Sequence, residues 1–505
     1  MSLNYNFIWL LCYLLVLVGL AGYGFHRLSI VYLYWKNRNN KPQPKARFQE
    51  LPVVTVQLPM FNEKFVVDRL LESVAALDYP QDKLEIQILD DSTDDTTEQC
   101  YRKVEELKSR GFDAVCIHRT DRTGFKAGAL EAATKVAKGE FLLILDADFV
   151  PEPDLLLKTI HFFTDENVGL VQTRWGHINR EYNLLTRIQG MYLDGHFAME
   201  QTARNRSGRF FTFNGTAGIW RKCVIGDAGG WSHDTLTEDM DLSYRVQLKG
   251  WRFIYLNDVV TPAELPVDMD GFKSQQHRWT KGSIQVCQKI LLDIWRSNAP
   301  LKAKVEATTH LTCNYSYLLL ALLCFLVYPI CTQRIPENET VFMWFVNVAL
   351  FFMTSVAVCI FYMSAQIVVR PKSWWKELPY LPLLLTLSVG MAVNNAKAVL
   401  EAIFGHQSAF VRTPKYGVDR KEDRRHVSQL KRNGYRAIKS VVIPVLEIAC
   451  GTFFLNLIII MIRQGHYLSP ILMIPFLGFY YTGFCSLGRM ISNLLPAKQT
   501  AKAKN

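Results

Sequence analysis

Long uncharged apolar runs occupy residues 7–25, 311–331, 341–363, 440–462 and 467–488, whereas the stretch from about 35 to 305 interleaves short apolar runs with charged turns. A bilayer core of about 30 Å needs roughly 20 apolar residues per helix, so the last four runs qualify as spans outright. The first does if it extends to about residue 34, with His26 and Arg27 near its inner end. A sixth segment, from 378 to 404, interrupts its apolar positions with Pro379, Pro382, Gly390, Asn394 and Asn395, which predicts a re-entrant or interfacial path rather than a crossing. Between the first and second spans, β-rich runs start at 53 (VVTVQL), 85 (EIQILDD), 114 (AVCIHR), 140 (EFLLILDAD) and 168 (VGLVQTRW), alternating with helical patterns. Continuous apolar strands separated by helices predict a parallel sheet covered on both faces. Apolar positions 66, 67, 70, 71 and 74 form one such helical face. Farther on, QQHRW at 275–279 precedes SIQVCQKILLDIW, whose positions 284, 287, 290, 291, 294 and 295 make a stripe that predicts a helix lying on the membrane surface.

Charge then orients the chain. Lys36, Arg38, Lys41, Lys45 and Arg47 follow the first span, and positive charge at a membrane end stays cytoplasmic, so the N-terminus is expected outside and the 35–305 block inside. The run between 412 and 436, with Arg412, Lys415, Arg420, Lys421, Arg424, Arg425, Lys431, Arg432 and Arg436, belongs inside by the same rule, as does the tail with Lys498, Lys502 and Lys504. Five crossings satisfy every basic cluster. The leading MSLNYN lacks Lys and Arg, so the first run is expected to stay as an anchor rather than be cleaved. With 49% hydrophobic and 20% charged residues the 505-residue chain is neither disordered nor fibrous. Its net charge of +11 is juxtamembrane, and no zinc or helix-turn-helix pattern occurs, so the bilayer rather than nucleic acid is the expected partner. The 11 cysteines form no C-x-x-C pair and are expected to be reduced packing residues.

Candidate chemistry sits at the ends of the predicted strands, where open α/β sheets bind ligands. Asp90 and Asp91 end the second strand; Asp146 and Asp148 end the fourth. Two carboxylates two residues apart in extended chain point to one side and can share a divalent ion with phosphate oxygens, although D-x-D alone also fits a solvated loop. DRTGFKAGAL at 121 places Arg122, Gly124, Lys126 and Gly128 before a helix, a turn suited to phosphate or simply a capped start. LTEDMDLSYR at 236–245 gathers Glu238, Asp239 and Asp241, a source for a general base. Arg278 offers a planar fork for phosphate and Trp279 a face for a sugar ring, against a plainer role in interfacial anchoring. Glu447, inside an apolar run, is expected near the interface or in helix packing, the alternative being an aqueous path. No G-x-G-x-x-G or P-loop is present.

Taken in order, DDS at 90, DAD at 146, TED at 237 and QQHRW at 275 resemble the motif series of processive family 2 glycosyltransferases, the group of cellulose, hyaluronan and mannan synthases. LPMFNE, QILDDSTDDT, GFKAGAL, VQTRWGHIN and FNGTAGIWR are most similar to plant cellulose-synthase-like mannan and glucan synthases and their bacterial relatives, across roughly 50–285. The resemblance implies an α/β GT-A (Rossmann-like) domain joined to an α-helical transmembrane region. It divides the chain into a first transmembrane helix (1–35), the GT-A domain (36–265), amphipathic interface helices (266–306), two spans (307–364), an interface segment with a gating loop (365–437), two spans (438–490) and a basic tail (491–505).

By the same resemblance Asp239 is the catalytic base of an inverting hexosyl transfer from a UDP- or GDP-hexose, and Asp146 and Asp148 hold Mg²⁺ or Mn²⁺. Pro59, Asn62, Glu63, Asp90, Asp91, Lys126, Asp146, Gln275 and Arg278 bind the nucleotide sugar, joined by Phe410, Thr413 and Lys415 of a loop in which Arg412 interrupts the family's F-x-V-T-x-K wording. Phe213, Asn214, Gly215, Glu238 and Trp279 bind a polysaccharide acceptor. The expected location is a plasma, inner or Golgi membrane, with an accessory subunit left open. Two other classes remain: a single-transfer enzyme like the ceramide glucosyltransferases, and a nucleotide-sugar-sensing transporter.

Overall fold

The computed structural model describes residues 5–332, 349–350, 352–406, 415–418, 441–465 and 470–494. Seven strands, β1 (Val54–Met60), β2 (Leu84–Asp90), β3 (Asp113–His118), β4 (Phe141–Ile144), β5 (Val168–His177), β6 (Gly218–Arg221) and β7 (Arg252–Ala263), form one sheet in the order β3-β2-β1-β4-β6-β5-β7. The five strands expected from apolar runs are all present. The sheet is mixed, however, because β6 runs antiparallel to both β4 and β5 while the other pairs are parallel. An all-parallel sheet needs a crossover before every strand. Here the long 178–217 connection, which includes helix Leu184–Asp194, brings the chain back to enter β6 in the opposite direction through the 213–217 turn, where Gly215 (φ +80°) and Ala217 (φ +55°) take left-handed conformations.

Both faces of the sheet are covered, which is why β2 and β4 are buried along their whole length. Successive side chains of a strand alternate between faces. Leu143 accordingly joins a cluster with Val67, Leu70, Leu71 and Val74 of helix Val67–Ala75, while Leu142 and Ile144 join one with Ala127, Leu130 and Ala133 of helix Phe125–Val136. Burying a side chain of this size stabilises by about 1.5–3 kcal/mol. The layers leave open the carboxyl ends of β1, β2 and β4.

Across those ends runs a single helix, Met269–Arg296. QQHRW lies inside this helix rather than ahead of it. The stripe expected to face lipid faces protein instead: Ile284, Cys287, Ile290 and Ile294 are buried, the last three with Tyr244, Ala307 and Leu311, and Ile284 with Val399 and Ala402. Leu291 is partly buried, while Trp295 is exposed, its Nε1 donating to Thr308 Oγ1 at 3.0 Å. An apolar stripe records burial without naming what covers it.

Three helices among the described residues are long and apolar enough to cross a membrane: Ile8–Asn37, Phe352–Val369 and Val442–Arg463. There are up to five if two bent pairs, Leu301–Thr312 with Tyr315–Pro329 (52°) and Trp374–Gly390 with Ala392–Ile403 (41°), each count as one. Helix Pro470–Leu494 packs beside Val442–Arg463. In the 378–404 segment, Asn394 and Asn395 are buried, and Asn394 Nδ2 donates to Lys273 O at 3.2 Å. The first helix also enters the folded block: His26 Nε2 lies 2.9 Å from Glu306 Oε1, and Arg27 pairs with Glu200. Arg204 bridges Glu200 and Glu306.

Candidate active site

A cleft lies between the carboxyl ends of β1, β2 and β4, the 214–215 turn, the start of helix Glu238–Leu248 and helix Met269–Arg296. Fifteen of the residues singled out in the sequence line it: Pro59, Glu63, Asp91, Arg122, Lys126, Asp146, Asp148, Asn214, Gly215, Glu238, Asp239, Gln275, Arg278, Trp279 and Lys415. Gln275, Arg278 and Trp279 reach it together because i, i+3 and i+4 share one helix face.

Asp239 stands in the first turn of its helix and accepts Met240 N–H at 2.8 Å through Oδ1. Burial, followed by the neighbouring Glu238 charge, pushes its carboxyl up to about 7 against the pull of Lys126. A carboxyl that titrates near neutrality is suited to general-base work. Lys126 Nζ donates to Asp146 Oδ1 at 2.5 Å and Gly215 O at 2.8 Å. Burial would lower its ammonium, but Asp146, Glu238 and Asp239 outweigh that and hold it above its ordinary range. Arg278 is lowered by burial, opposed by Glu238, Asp146 and Asp239. A Cβ on Gly215 would come within 3.0 Å of Asp239 Oδ2, so only glycine leaves this carboxylate its place.

Asp148 is 6% exposed, and its Oδ2 accepts from Lys415 Nζ at 2.6 Å and Glu264 N–H at 3.2 Å. Asp146 and Asp148 thus each hold a lysine ammonium. Among the described residues no trio of His, Cys, Asp and Glu side chains could hold a metal ion. The donor set nevertheless fits a hard divalent cation: Mg²⁺ is commonly held by one or two carboxylates with substrate phosphates completing the shell. At this pair the ammonium groups already supply positive charge.

Four predicted residues stand elsewhere. Asp90 is fully buried behind the cleft and accepts from Thr97 Oγ1 (2.7 Å) and Ser92 N–H (3.1 Å), with His118 Nδ1 at 2.7 Å, so its carboxylate fixes the strand end rather than facing a ligand. Asn62, left-handed at φ +56°, sits on the rim and accepts Thr93 N–H at 2.8 Å. Phe213 is turned into the core against Trp220, at 5.4 Å between ring centroids. Asp241, the third acid of its stretch, is buried and paired with Arg245 and Lys289. Phe410 and Thr413 lie outside the described residues.

Residues 52–282 match the sequence model of Glycosyltransferase like family 2. This stretch is a glycosyltransferase family 2 domain. The chain is 42% identical over 286 residues to Glucomannan 4-beta-mannosyltransferase 2 of Arabidopsis thaliana, covering 54% of this chain and 53% of that protein. It is 41% identical over 277 residues to Glucomannan 4-beta-mannosyltransferase 1 of Oryza sativa subsp. japonica, with the same 54% and 53% coverage. The chain therefore spans about half the length of these curated relatives. A solved mannosyltransferase from Pyrobaculum calidifontis, in complex with GDP-Man and Mn²⁺, superposes with a TM-score of 0.55 at 20% identity over 78% of this chain and 100% of its own. That likeness shows the shared GT-A fold.

Three features of the glycosyltransferase domain escaped the sequence reading. Arg119 forks onto Asp91 (Nε to Oδ1 2.8 Å, Nη2 to Oδ2 2.6 Å) and donates to Phe125 O at 2.8 Å, tying the Lys126 turn to the end of β2. Glu264, just past β7, accepts the backbone N–H groups of Tyr416, Gly417 and Val418 at 3.0–3.2 Å and so holds Lys415 over Asp148. His196 Nε2 meets Asn214 Nδ2 at 3.1 Å while its Nδ1 faces Glu200 Oε2 at 3.0 Å. Burial, then Arg204 and Arg27, lower this imidazole to about 3. The neutral ring donates to Glu200 and accepts from Asn214, and Gln201 Nε2 donates to Asn214 Oδ1 at 2.7 Å, which fixes the amide. Arg119 was signalled only by its place at the end of the AVCIHR run, one residue past β3.

Proposed function

We propose that the protein transfers mannose from GDP-mannose to the end of a β-linked mannan, inverting the anomeric carbon, with a divalent cation on the diphosphate. The observation that carries this reading is the convergence of Asp239, raised to about 7, with Arg278 and the Asp146/Asp148 pair in one cleft. The mannosyl donor is favoured by the two plant glucomannan mannosyltransferases and by GDP-Man and Mn²⁺ in the Pyrobaculum calidifontis enzyme of the same fold.

In the proposed reaction Asp239 accepts the proton of the acceptor hydroxyl as that oxygen attacks C1 from the face opposite the nucleotide. The bond from C1 to the phosphate oxygen breaks, and GDP departs with the electron pair. Base catalysis of this kind is worth roughly 10²- to 10⁴-fold. Arg278 donates to the departing diphosphate, where donors aimed at developing charge act most strongly. Asp146 and Asp148 would hold the cation, which when bound neutralises charge on the leaving diphosphate. Lys415 would move from Asp148 onto phosphate, Trp279 would stack under the acceptor sugar, and Asn214 would orient its hydroxyl. The proposal includes the domain boundaries above, with the catalytic domain cytoplasmic and the N-terminus outside.

The test incubates membranes containing the protein with Mn²⁺ and radiolabelled GDP-mannose or UDP-glucose. Label from GDP-mannose should enter alcohol-insoluble polymer and be released by β-1,4-mannanase. Transfer from UDP-glucose alone would overturn the donor assignment, a chloroform-soluble product would overturn the polymer, and no transfer from either would overturn the function.

A further inference from the structure

Helix Met269–Arg296 presents Gln275, Arg278 and Trp279 to the cleft, and on its other side carries Lys273, which is 1% exposed and takes no part in the cleft. An ammonium has three donors. Those of Lys273 meet three acceptors, all buried: Glu447 Oε2 at 2.5 Å, Thr482 O at 3.0 Å and Ser486 Oγ at 3.0 Å. Glu447 belongs to helix Val442–Arg463, and Thr482 and Ser486 to helix Pro470–Leu494. The same cleft helix is fastened at its start, where Arg489 pairs with its N-cap Asp268 and lies 3.6 Å from Asp270, and farther along, where Lys281 Nζ donates to Glu401 Oε2 (3.1 Å) and His406 O (2.6 Å).

A buried ion pair is seldom the cheapest way to pack two helices, since apolar side chains of similar volume stabilise as well or better. What such a pair adds is a fixed geometry. Lys273 and Arg278 are five residues apart, so they project about 140° from each other around the helix, one toward the apolar helices and the other toward the cleft. At about 6 Å from the axis, a helix rotation of about 10° moves a side chain by about 1 Å. A misplacement of that size costs on the order of 10²-fold in rate.

We propose that Lys273 is a positioning residue: clasped by Glu447, Thr482 and Ser486, it sets the rotation of helix Met269–Arg296 and so aims Arg278 at the diphosphate of the donor. The inference rests on the nucleotide-sugar reading of the cleft. It assigns to the Lys273 cluster, among the contacts that fasten the cleft helix to the apolar helices, the setting of that helix's rotation.

The test compares wild type, K273M, E447L, the double variant K273M/E447L and S486A, each purified in detergent, for melting temperature and for binding of GDP and guanosine in the presence of Mn²⁺. Each charge-breaking single variant should melt lower, because it leaves one buried charge alone, and the double variant should regain most of the loss. The double variant should nevertheless bind GDP at least tenfold more weakly than wild type while its guanosine affinity stays within twofold, because only GDP offers a diphosphate to Arg278. GDP affinity restored along with melting temperature would overturn the positioning role. If the double variant does not fold, S486A serves: it removes one acceptor of three, and a loss of GDP affinity of a few-fold at an unchanged melting temperature supports the proposal, whereas unchanged affinity overturns it. Wild-type protein that fails to bind GDP would strike at the reading of the cleft instead, so the two failures are distinguishable.

Discussion

Replacing Asp239 by Asn should slow the enzyme and stabilise the protein, and the two effects come from one cause. The raised carboxyl means that the fold prefers the protonated acid, whereas the unfolded chain releases its proton near 3.8. A rise from 3.8 to about 7 corresponds to about 4 kcal/mol, an upper bound on what the ionised carboxylate withholds from stability. For a carboxyl raised in the folded state, stability is undiminished below the unfolded value, falls as pH climbs through the interval, and is lowest above about 7. Asn cannot ionise, so D239N should melt higher than wild type at pH 8 and level with it near pH 4. Turnover of the wild type should rise with pH through about 7 and flatten, and D239N should lose roughly 10²- to 10⁴-fold with no such rise. The assays are initial rates of sugar transfer from pH 5.5 to 8.5 and thermal melting of detergent-solubilised protein at both extremes. A stability gain of equal size at pH 4 and pH 8, or a wild-type rate independent of pH, would refute the reasoning.

Other expectations are more local. G215A forces a side chain into φ +80° and against Asp239 Oδ2, so turnover should fall at least tenfold, with about 1–2 kcal/mol lost in a melting assay. D148N removes a charge that now faces Lys415, and the Mn²⁺ concentration for half-maximal rate should rise at least tenfold; an unchanged metal titration would remove Asp148 from the cation site. R119A deprives Asp91 of two charged hydrogen bonds, worth about 1.5–3 kcal/mol each, and should raise the donor KM at least tenfold with a smaller change in kcat.

How much of this was legible depended on where each signal lay. Strands β1 to β5 are continuous apolar runs and announced themselves. β6 is only four residues between turns, too short for any period to register. β7 was hidden by Asn257, Asp258 and Pro262, which its register accommodates by jumping from Leu256 to Val260 opposite Thr173 and Arg174. Site residues at strand ends or on one helix face were readable because local geometry alone converges them. Arg119, Glu264 and His196 were not, since Asp91, the 416–418 backbone and Asn214 lie 28, 152 to 154 and 18 positions from them in the chain and are brought to them by the tertiary fold. Phe213 illustrates the opposite error: Asn214 and Gly215 beside it face the cleft, whereas its own ring packs inward against Trp220.

The first helix has a practical consequence for anyone who wishes to handle the enzyme without detergent. His26 and Arg27 hang from what reads as a lipid anchor, yet their partners Glu306 and Glu200 belong to the folded body. A truncation beginning after Asn37 would remove Arg27 from Glu200 and His26 from Glu306, leaving one guanidinium, Arg204, to bridge two interior carboxylates, so an excised fragment should misfold or aggregate. If the first helix is the anchor proposed above, anchor and folded body share these ion pairs, and loosening the helix should be expected to endanger turnover as much as solubility.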